Sequence, residues 1–211
     1  LADEAEDEIE RLMQPGHLDE LRASPELIGK AFRIDDAVGR YTVYLKSCIE
    51  RECKLDGLSI ELDTANGAAY RVAPLVFSEL GANIVTIGDR PNGKNINENC
   101  GSLYPDRLSN LVKEQKAYCG IAFDGDADRV LMCDEKGQLI DGDLMLAMLA
   151  LDFKARGLLQ GDGVVGTVMS NFGLEACLRD NGLKLYRSDV GDRYVLQEML
   201  ERKLNIGGEQ S

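Results

Sequence analysis

The sequence predicts an α/β fold, built as two consecutive layered domains on mostly parallel, mixed sheets. Three observations carry this reading. From residue 58 onward, short apolar runs of strand length alternate with longer runs whose apolar residues recur at helical spacing. Gly, Pro and Asn-Gly pairs fall between the runs, where turns are needed. The strand–helix rhythm then restarts at Gly163, which calls for a second set of layers.

The elements follow in order. Residues 3–13 are acidic, with Ala5, Ile9, Leu12 and Met13 near helical spacing, and read as one amphipathic helix with a solvated acidic face. A loop through Pro15, Gly16 and Pro25 follows. A second helix is expected from about Asp36 to Glu52, with Val38, Tyr41, Leu45, Cys48 and Ile49 on one stripe. Leu58–Leu62 reads as a strand. Asn66-Gly67 then turns into a helix carrying Val72, Val76, Phe77 and Leu80, with Pro74 near its first turn and Gly81 as its stop. Asn83–Ile87 is the next strand, and a polar stretch runs from Gly88 to Ser102. Pro105 opens a helix with Leu108, Leu111 and Val112. The run 118–123 is a buried strand, and Val130–Cys133 a second apolar run before a hairpin around Glu135-Lys-Gly137. Gly142-Asp143 starts a long apolar helix to about Arg156. In the second set, Gly163–Val168 is a strand, 172–180 a helix stopped at Asn181-Gly182, and Leu183–Tyr186 a strand. Gly191-Asp192 introduces a last helix with Val195, Leu196, Met199 and Leu200.

Composition narrows the function classes. The 211 residues carry a net charge of −13, so nonspecific binding to nucleic acid or to an anionic membrane is not expected. The absence of Trp argues against a base-stacking surface. No apolar run is long enough to span a membrane, and the acidic beginning is unlike a signal peptide. The six Cys form no CxxC pair and read as buried, reduced thiols of a cytoplasmic protein. His17, the only histidine, sits in a loop-like stretch, so a His-based triad has little support. The chain begins at Leu1 within a helical pattern and stops after Gly207-Gly-Glu-Gln, which reads as a fragment cut at both ends.

The string Asp124-Gly-Asp-Ala-Asp-Arg129 carries the chemistry. It places three carboxylates at alternate positions after a buried strand, with a guanidinium next to the last. Carboxylates this close repel one another unless a positive charge sits between them. A hard divalent cation bound by oxygens, Mg2+ first among them, is the economical answer. Arg129 beside it can hold an anionic substrate. An EF-hand loop counted from Asp124 would put Arg129 where its sharp turn requires Gly, which excludes that reading. A phosphatase of the haloacid-dehalogenase type also places Asp-x-Asp after a strand and uses the first Asp as nucleophile. That reading, and a non-enzymatic cation-binding module, both stay open on the residues alone.

Six strings occur in order: Asp63-Thr-Ala-Asn-Gly-Ala68, Gly93-Lys-Asn-Ile-Asn97 with Cys100-Gly-Ser102, Phe123-Asp-Gly-Asp-Ala-Asp-Arg129, Thr167-Val-Met-Ser-Asn171, Val190-Gly-Asp-Arg-Tyr-Val195 and Gly207-Gly-Glu-Gln-Ser211. Together they resemble the α-D-phosphohexomutase superfamily over nearly the whole chain, and most closely its bacterial phosphoglucosamine mutase branch. Gly39-Arg40-Tyr41 fits as well. Relatives that act on mannose or glucose phosphates commonly carry Met where Gln210 stands.

The resemblance implies a share of a four-domain enzyme: residues 1–36 as the tail of domain 1 and a linker, 37–140 as domain 2 with the metal loop, and 141–211 as a truncated domain 3 with the sugar loop. It implies Mg2+ on Asp124, Asp126 and Asp128, and Arg129 as a catalytic residue touching substrate or phosphoryl oxygen. It implies a phosphosugar bound by Glu209, Ser211, Asp192 and Arg193. The family's phosphoserine would lie upstream of Leu1, so residues 1–211 alone are expected to be inactive. A cytoplasmic location is implied, and a homodimer of the intact enzyme is allowed. Asp192 reads equally as a helix N-cap and Arg193 as a surface ion-pair partner. Asn66 and Gly67 read as turn formers, and Asn95 and Asn97 as loop braces.

Overall fold

The computed structural model of the chain describes residues 2–19, 22–50 and 52–210. The chain forms two units, Leu1–Ala37 and Val38–Ser211. In the first, helix α1 (Asp3–Met13) has Asp3, Glu4 and Glu6 in its first turn and Arg11 in its last, the arrangement the helix dipole favours. Arg11 pairs with Glu8 one turn back, at 2.7 Å. A single 3-10 turn at Pro25–Leu27 follows.

The second unit holds the layers. After α2 (Ala37–Ser47) come β1 (Ser59–Asp63), a 3-10 turn (Ala68–Tyr70), α3 (Val72–Glu79), β2 (Asn83–Ile87), α4 (Pro105–Gln115), β3 (Cys119–Phe123), β4 (Val130–Cys133) and β5 (Leu139–Ile140). Then follow α5 (Gly142–Ala155), β6 (Gly163–Thr167), α6 (Phe172–Asp180), β7 (Lys184–Ser188) and α7 (Asp192–Arg202).

The first sheet has the order β2-β1-β3-β4-β5. Its β2, β1 and β3 are parallel, because helices α3 and α4 supply the crossovers. From β3 onward it turns antiparallel, because the six residues 124–129 are too few for a crossover. The sheet is therefore mixed. Alternation puts Ile60, Leu62 and Ile121 on one face, packed with Ala69, Ala73 and Ala82. Ala122 and Cys133 face the other way, under Leu108 and Val112 of α4. The second sheet pairs β6 with β7 in parallel, and the chain after α7 returns beside β6, where Gly207 bridges Val165. Val164 packs with Leu146, Leu174 and Leu178 of α5 and α6. Its neighbour Val165 packs with Val195 of α7.

Three local expectations differ from the structure. Helix α2 stops at Ser47, not near Glu52, because Ser47 Oγ and Cys48 Sγ both bond back to the Tyr44 carbonyl, at 2.6 and 3.4 Å, and compete with the helical ladder. The helix expected after Gly67 is divided into a 3-10 turn and α3, since Ala68 donates its amide across to Gly125 at 2.8 Å. All six thiols are free, but Cys48 and Cys53 are exposed; burial holds only for Cys100 and Cys133, with Cys119 and Cys177 between.

Candidate active site

The aspartate loop is a hairpin connection. Its ends are tied by the antiparallel pairing of Phe123 with Val130, and Asp124 through Arg129 fill the gap. Asp124 is the anchor, with its side chain only 2% exposed. Its Oδ1 accepts the Arg129 amide at 3.1 Å, and its Oδ2 accepts Arg129 Nε at 3.0 Å and Nη2 at 2.9 Å. Burial pushes the Asp124 carboxyl up, but the amide and guanidinium of Arg129 outweigh it and hold Asp124 below its ordinary value. Hydrogen bonding to Asp124 in turn raises Arg129. Desolvation, then the charges of Asp124 and Asp126, push Asp128 up.

Asp124, Asp126 and Asp128 each offer a carboxylate oxygen, and these oxygens lie within 4.8 Å of one another. All are hard oxygen donors, one buried and two exposed, and among the described residues Arg129 is the cation paired with them, to Asp124 and Asp128. The set fits a hard divalent cation. The turn after β1 and the polar loop after β2 buttress this hairpin. Asn97 donates its amide to the Ala65 carbonyl at 2.9 Å, and Ser102 donates to the Phe123 carbonyl at 2.9 Å. Asn95 braces its loop from within, through bonds to Asn92 and Arg90.

Beside the hairpin lies an open cleft of about 680 Å³. Asp128 and Arg129 line it together with Gly191, Asp192, Glu209 and Gln210, while apolar side chains of α5 and α7 form its floor. Glu209 Oε2 accepts the Gly191 amide at 3.3 Å. The Gln210 carbonyl accepts the Gly142 amide at 2.9 Å, which fixes the segment against the start of α5. Asp192 Oδ1 accepts the Arg193 amide at 2.7 Å.

The structure thus brings Asp124, Asp126, Asp128 and Arg129 into one loop, and Asp192 and Glu209 into the same cleft. Gly191, not Asp192, takes the N-cap position of α7, so the capping role weighed for Asp192 is not the one it fills. Arg193 follows in the first turn of α7 and is not among the cleft-lining residues. Ser211 lies outside the described residues. Thr167 and Ser170 are buried and are not among the residues lining this cleft. Sequence reasoning missed Gly142 and Gly191, whose amides hold the segment of Glu209 and Gln210; a helix start and a Gly before a helix give no sign of the partner they meet. It also missed Arg187, which donates to the carbonyls of Thr167 (3.1 Å) and Ser170 (2.8 Å) and fixes the loop after β6.

Comparison with known proteins agrees across this whole region. Residues 39–137 match the model for phosphoglucomutase/phosphomannomutase α/β/α domain II, and residues 141–211 match domain III. A phosphoglucosamine mutase of Magnetococcus marinus is 54% identical over all of this chain and 44% of its own length. That of Pelobacter propionicus is 53% identical over all of this chain and 47% of its own. The chain therefore spans a little under half of the curated relatives it matches. Among solved structures, a phosphoglucomutase/phosphomannomutase family protein of Burkholderia thailandensis superposes with a TM-score of 0.70 at 25% identity, covering 82% of this chain and 37% of that one. A Thermus thermophilus protein described as a phosphomannomutase superposes with a TM-score of 0.71 at 21% identity over 87% of this chain and 43% of its own, a likeness of fold. With an aspartate-rich hairpin and a carboxylate-lined cleft on a chain that both domain models match, this chain belongs to the phosphoglucomutase/phosphomannomutase family, the α-D-phosphohexomutases.

Proposed function

We propose that the protein interconverts glucosamine 6-phosphate and glucosamine 1-phosphate, for amino-sugar nucleotide and cell-wall precursor synthesis. The phosphoryl group passes from a phosphoserine to the sugar, and the bisphosphate so formed reorients and returns its other phosphoryl group. One observation carries this reading: a single cleft holds Asp128 and Arg129 together with Asp192 and Glu209, in a chain matched end to end by phosphoglucosamine mutases. On this reading residues 1–36 belong to domain 1 and a linker, 37–140 to domain 2, and 141–211 to domain 3. The donor serine stands outside these 211 residues, and the intact enzyme works in the cytoplasm, where a homodimer is allowed.

The residues divide the work by charge. Asp124, Asp126 and Asp128 would hold Mg2+, which screens phosphoryl charge as an alkoxide oxygen attacks. Arg129 keeps one side of its guanidinium on Asp124 and reaches the cleft, where its remaining donors suit phosphoryl oxygens. Glu209, steadied by the Gly191 amide, can accept from a sugar hydroxyl and from the ammonium of an amino sugar. Asp192 adds a second carboxylate to the same wall, and Arg193 and Ser211 complete the proposed substrate set. The aspartate-nucleophile reading is disfavoured by Asp124 itself, which is buried with both oxygens engaged by Arg129.

The test is the catalytic efficiency of the intact enzyme on glucosamine, glucose and mannose phosphates, for wild type and Glu209→Gln. Glucosamine phosphate should lead by roughly ten- to a hundredfold, the discrimination available from one or two buried hydrogen bonds. The variant should lose most of that lead. Equal efficiency on all three sugars in wild type would refute the substrate assignment.

A further inference from the structure

We propose that Asn66 and Gly67 are positioning residues that set how tightly the aspartate loop holds a divalent cation. The proposal rests on reading Asp124, Asp126 and Asp128 as the cation's ligands. Neither Asn66 nor Gly67 lines the cleft or offers a ligand; they act on the loop's backbone.

The contact is one of backbone against backbone. A Cβ on Gly67 would stand 2.1 Å from the Gly125 carbonyl oxygen and 2.7 Å from its carbonyl carbon. The φ of Gly67 is −113°, which any residue adopts, so the glycine answers to this approach and not to its own conformation. The next amide, Ala68 N–H, donates to that same Gly125 oxygen at 2.8 Å. On the far side of Gly125, a Cβ would meet Ile96 Cγ1 at 2.7 Å and Asn97 Nδ2 at 2.8 Å. The peptide between Asp124 and Asp126 is therefore held between two loops.

Asn66 ties those loops together. Its Nδ2 donates to the Asn95 carbonyl at 3.2 Å and to Cys100 Sγ at 3.4 Å, and its Oδ1 accepts the Arg90 amide at 3.0 Å. One side chain thus spans the turn after β1 and both ends of the polar loop. Ala65 and Asn66 both sit in the left-handed region, at φ 54° and 50°, a conformation that persists only where its surroundings impose it. If the clamp loosens, the spacing of the flanking carboxylates loosens with it. Groups that fix metal ligands in place typically change metal affinity by about 10–100-fold when removed.

The experiment titrates Mn2+ into the intact protein by electron paramagnetic resonance, for wild type, Asn66→Gly, Gly67→Ala and Asp126→Asn. Asn66→Gly removes the side chain while keeping a residue that adopts positive φ freely. Both clamp variants should bind Mn2+ about tenfold more weakly. Each should need a similarly higher Mg2+ concentration for half-maximal turnover, yet reach a kcat at saturating Mg2+ within about twofold of wild type. Thermal melts of each variant without divalent cation identify a folding defect, which bound Mg2+ would itself partly offset by mass action. Should Gly67→Ala not fold, Asn66→Gly alone decides. Wild-type Mn2+ affinity in the folded clamp variants overturns the proposal, as does a lowered kcat that saturating Mg2+ does not restore. If Asp126→Asn also binds Mn2+ like wild type, the ligand assignment itself has failed, which separates that outcome from failure of the clamp.

Discussion

Replacing Glu61 by Leu should stabilise the protein. Glu61 occupies the middle of β1, is fully buried, and neither of its carboxyl oxygens has a hydrogen-bond partner among the described residues. It pairs across the sheet with Gly120, above which stand Cys133, Leu108 and Val112, so its side chain enters an apolar layer beneath α4. Burial raises its pKa, and no cation among the described residues offsets the shift. Leu has a similar volume and no polar atoms. Removing a buried unsatisfied polar group recovers about 1–3 kcal/mol. For a chain of this size each kcal/mol moves Tm by about 2–4 °C, so the gain at neutral pH should be roughly 2–12 °C. The sign with pH follows from the raised folded value. Below the ordinary Glu pKa of about 4.3, both folded and unfolded chains hold the proton and no linkage penalty arises. Above it the unfolded chain releases the proton while the folded one retains it, and the penalty grows with pH until the folded carboxyl ionises too. Thermal melts at pH 4.5 and 7.5 should therefore show a larger Leu advantage at 7.5. Glu61→Gln, which stays polar but cannot ionise, should gain on wild type only at the higher pH. A Leu variant that melts below wild type at pH 7.5, or offsets that do not change with pH, would refute the reasoning.

Two further substitutions test the cleft and the second set of layers. At Gly142 a Cβ would lie 1.9 Å from the Glu209 carbonyl oxygen, so Gly142→Ala must displace the segment that carries Glu209. Overpacking of this kind costs about 1–3 kcal/mol. The KM for the phosphosugar should rise by about fivefold or more while the Mg2+ requirement stays put; an unchanged KM would detach Glu209 from the substrate. Asn171 caps α6 by accepting the Leu174 amide at 2.9 Å. Its replacement by Ala should cost about 1 kcal/mol, read as a fall in the urea midpoint at constant slope, and a neutral result would deny the cap.

The legible part of this molecule is the part written in local pattern. The apolar run into Phe123 followed by alternating aspartates located the carboxylate hairpin, because strand burial and charge crowding are both short-range. Helix starts at Pro105 and Gly142 and the stops at Gly81 and Gly182 were legible for the same reason, as matters of φ and of missing donors. What the pattern could not give were meetings between distant segments. Gly67 looks like a turn former, and only the approach of Gly125 explains why no other residue would do. The cleft needs Gly142 and Gly191 to donate amides to residues 18 or more positions away. Glu61 sits in a string that reads as a strand, but the string does not say that both faces are covered or that a carboxylate is buried in the middle of it.

The place of the aspartate loop in the sheet has a thermodynamic consequence. Its six residues run from the last pair of the β3–β4 ladder back to the same pair, Phe123 with Val130, so the loop is closed before any ligand arrives. Closing a flexible loop and fixing its backbone costs conformational entropy, about 1–2 kcal/mol per residue ordered. Here folding of the sheet has already met that cost. A cation arriving at these carboxylates has three side chains to arrange and little main chain to order. Its binding should accordingly be governed by the exchange of hydration water for carboxylate oxygen, with the heat of that exchange, and not chain ordering, setting how the affinity changes with temperature.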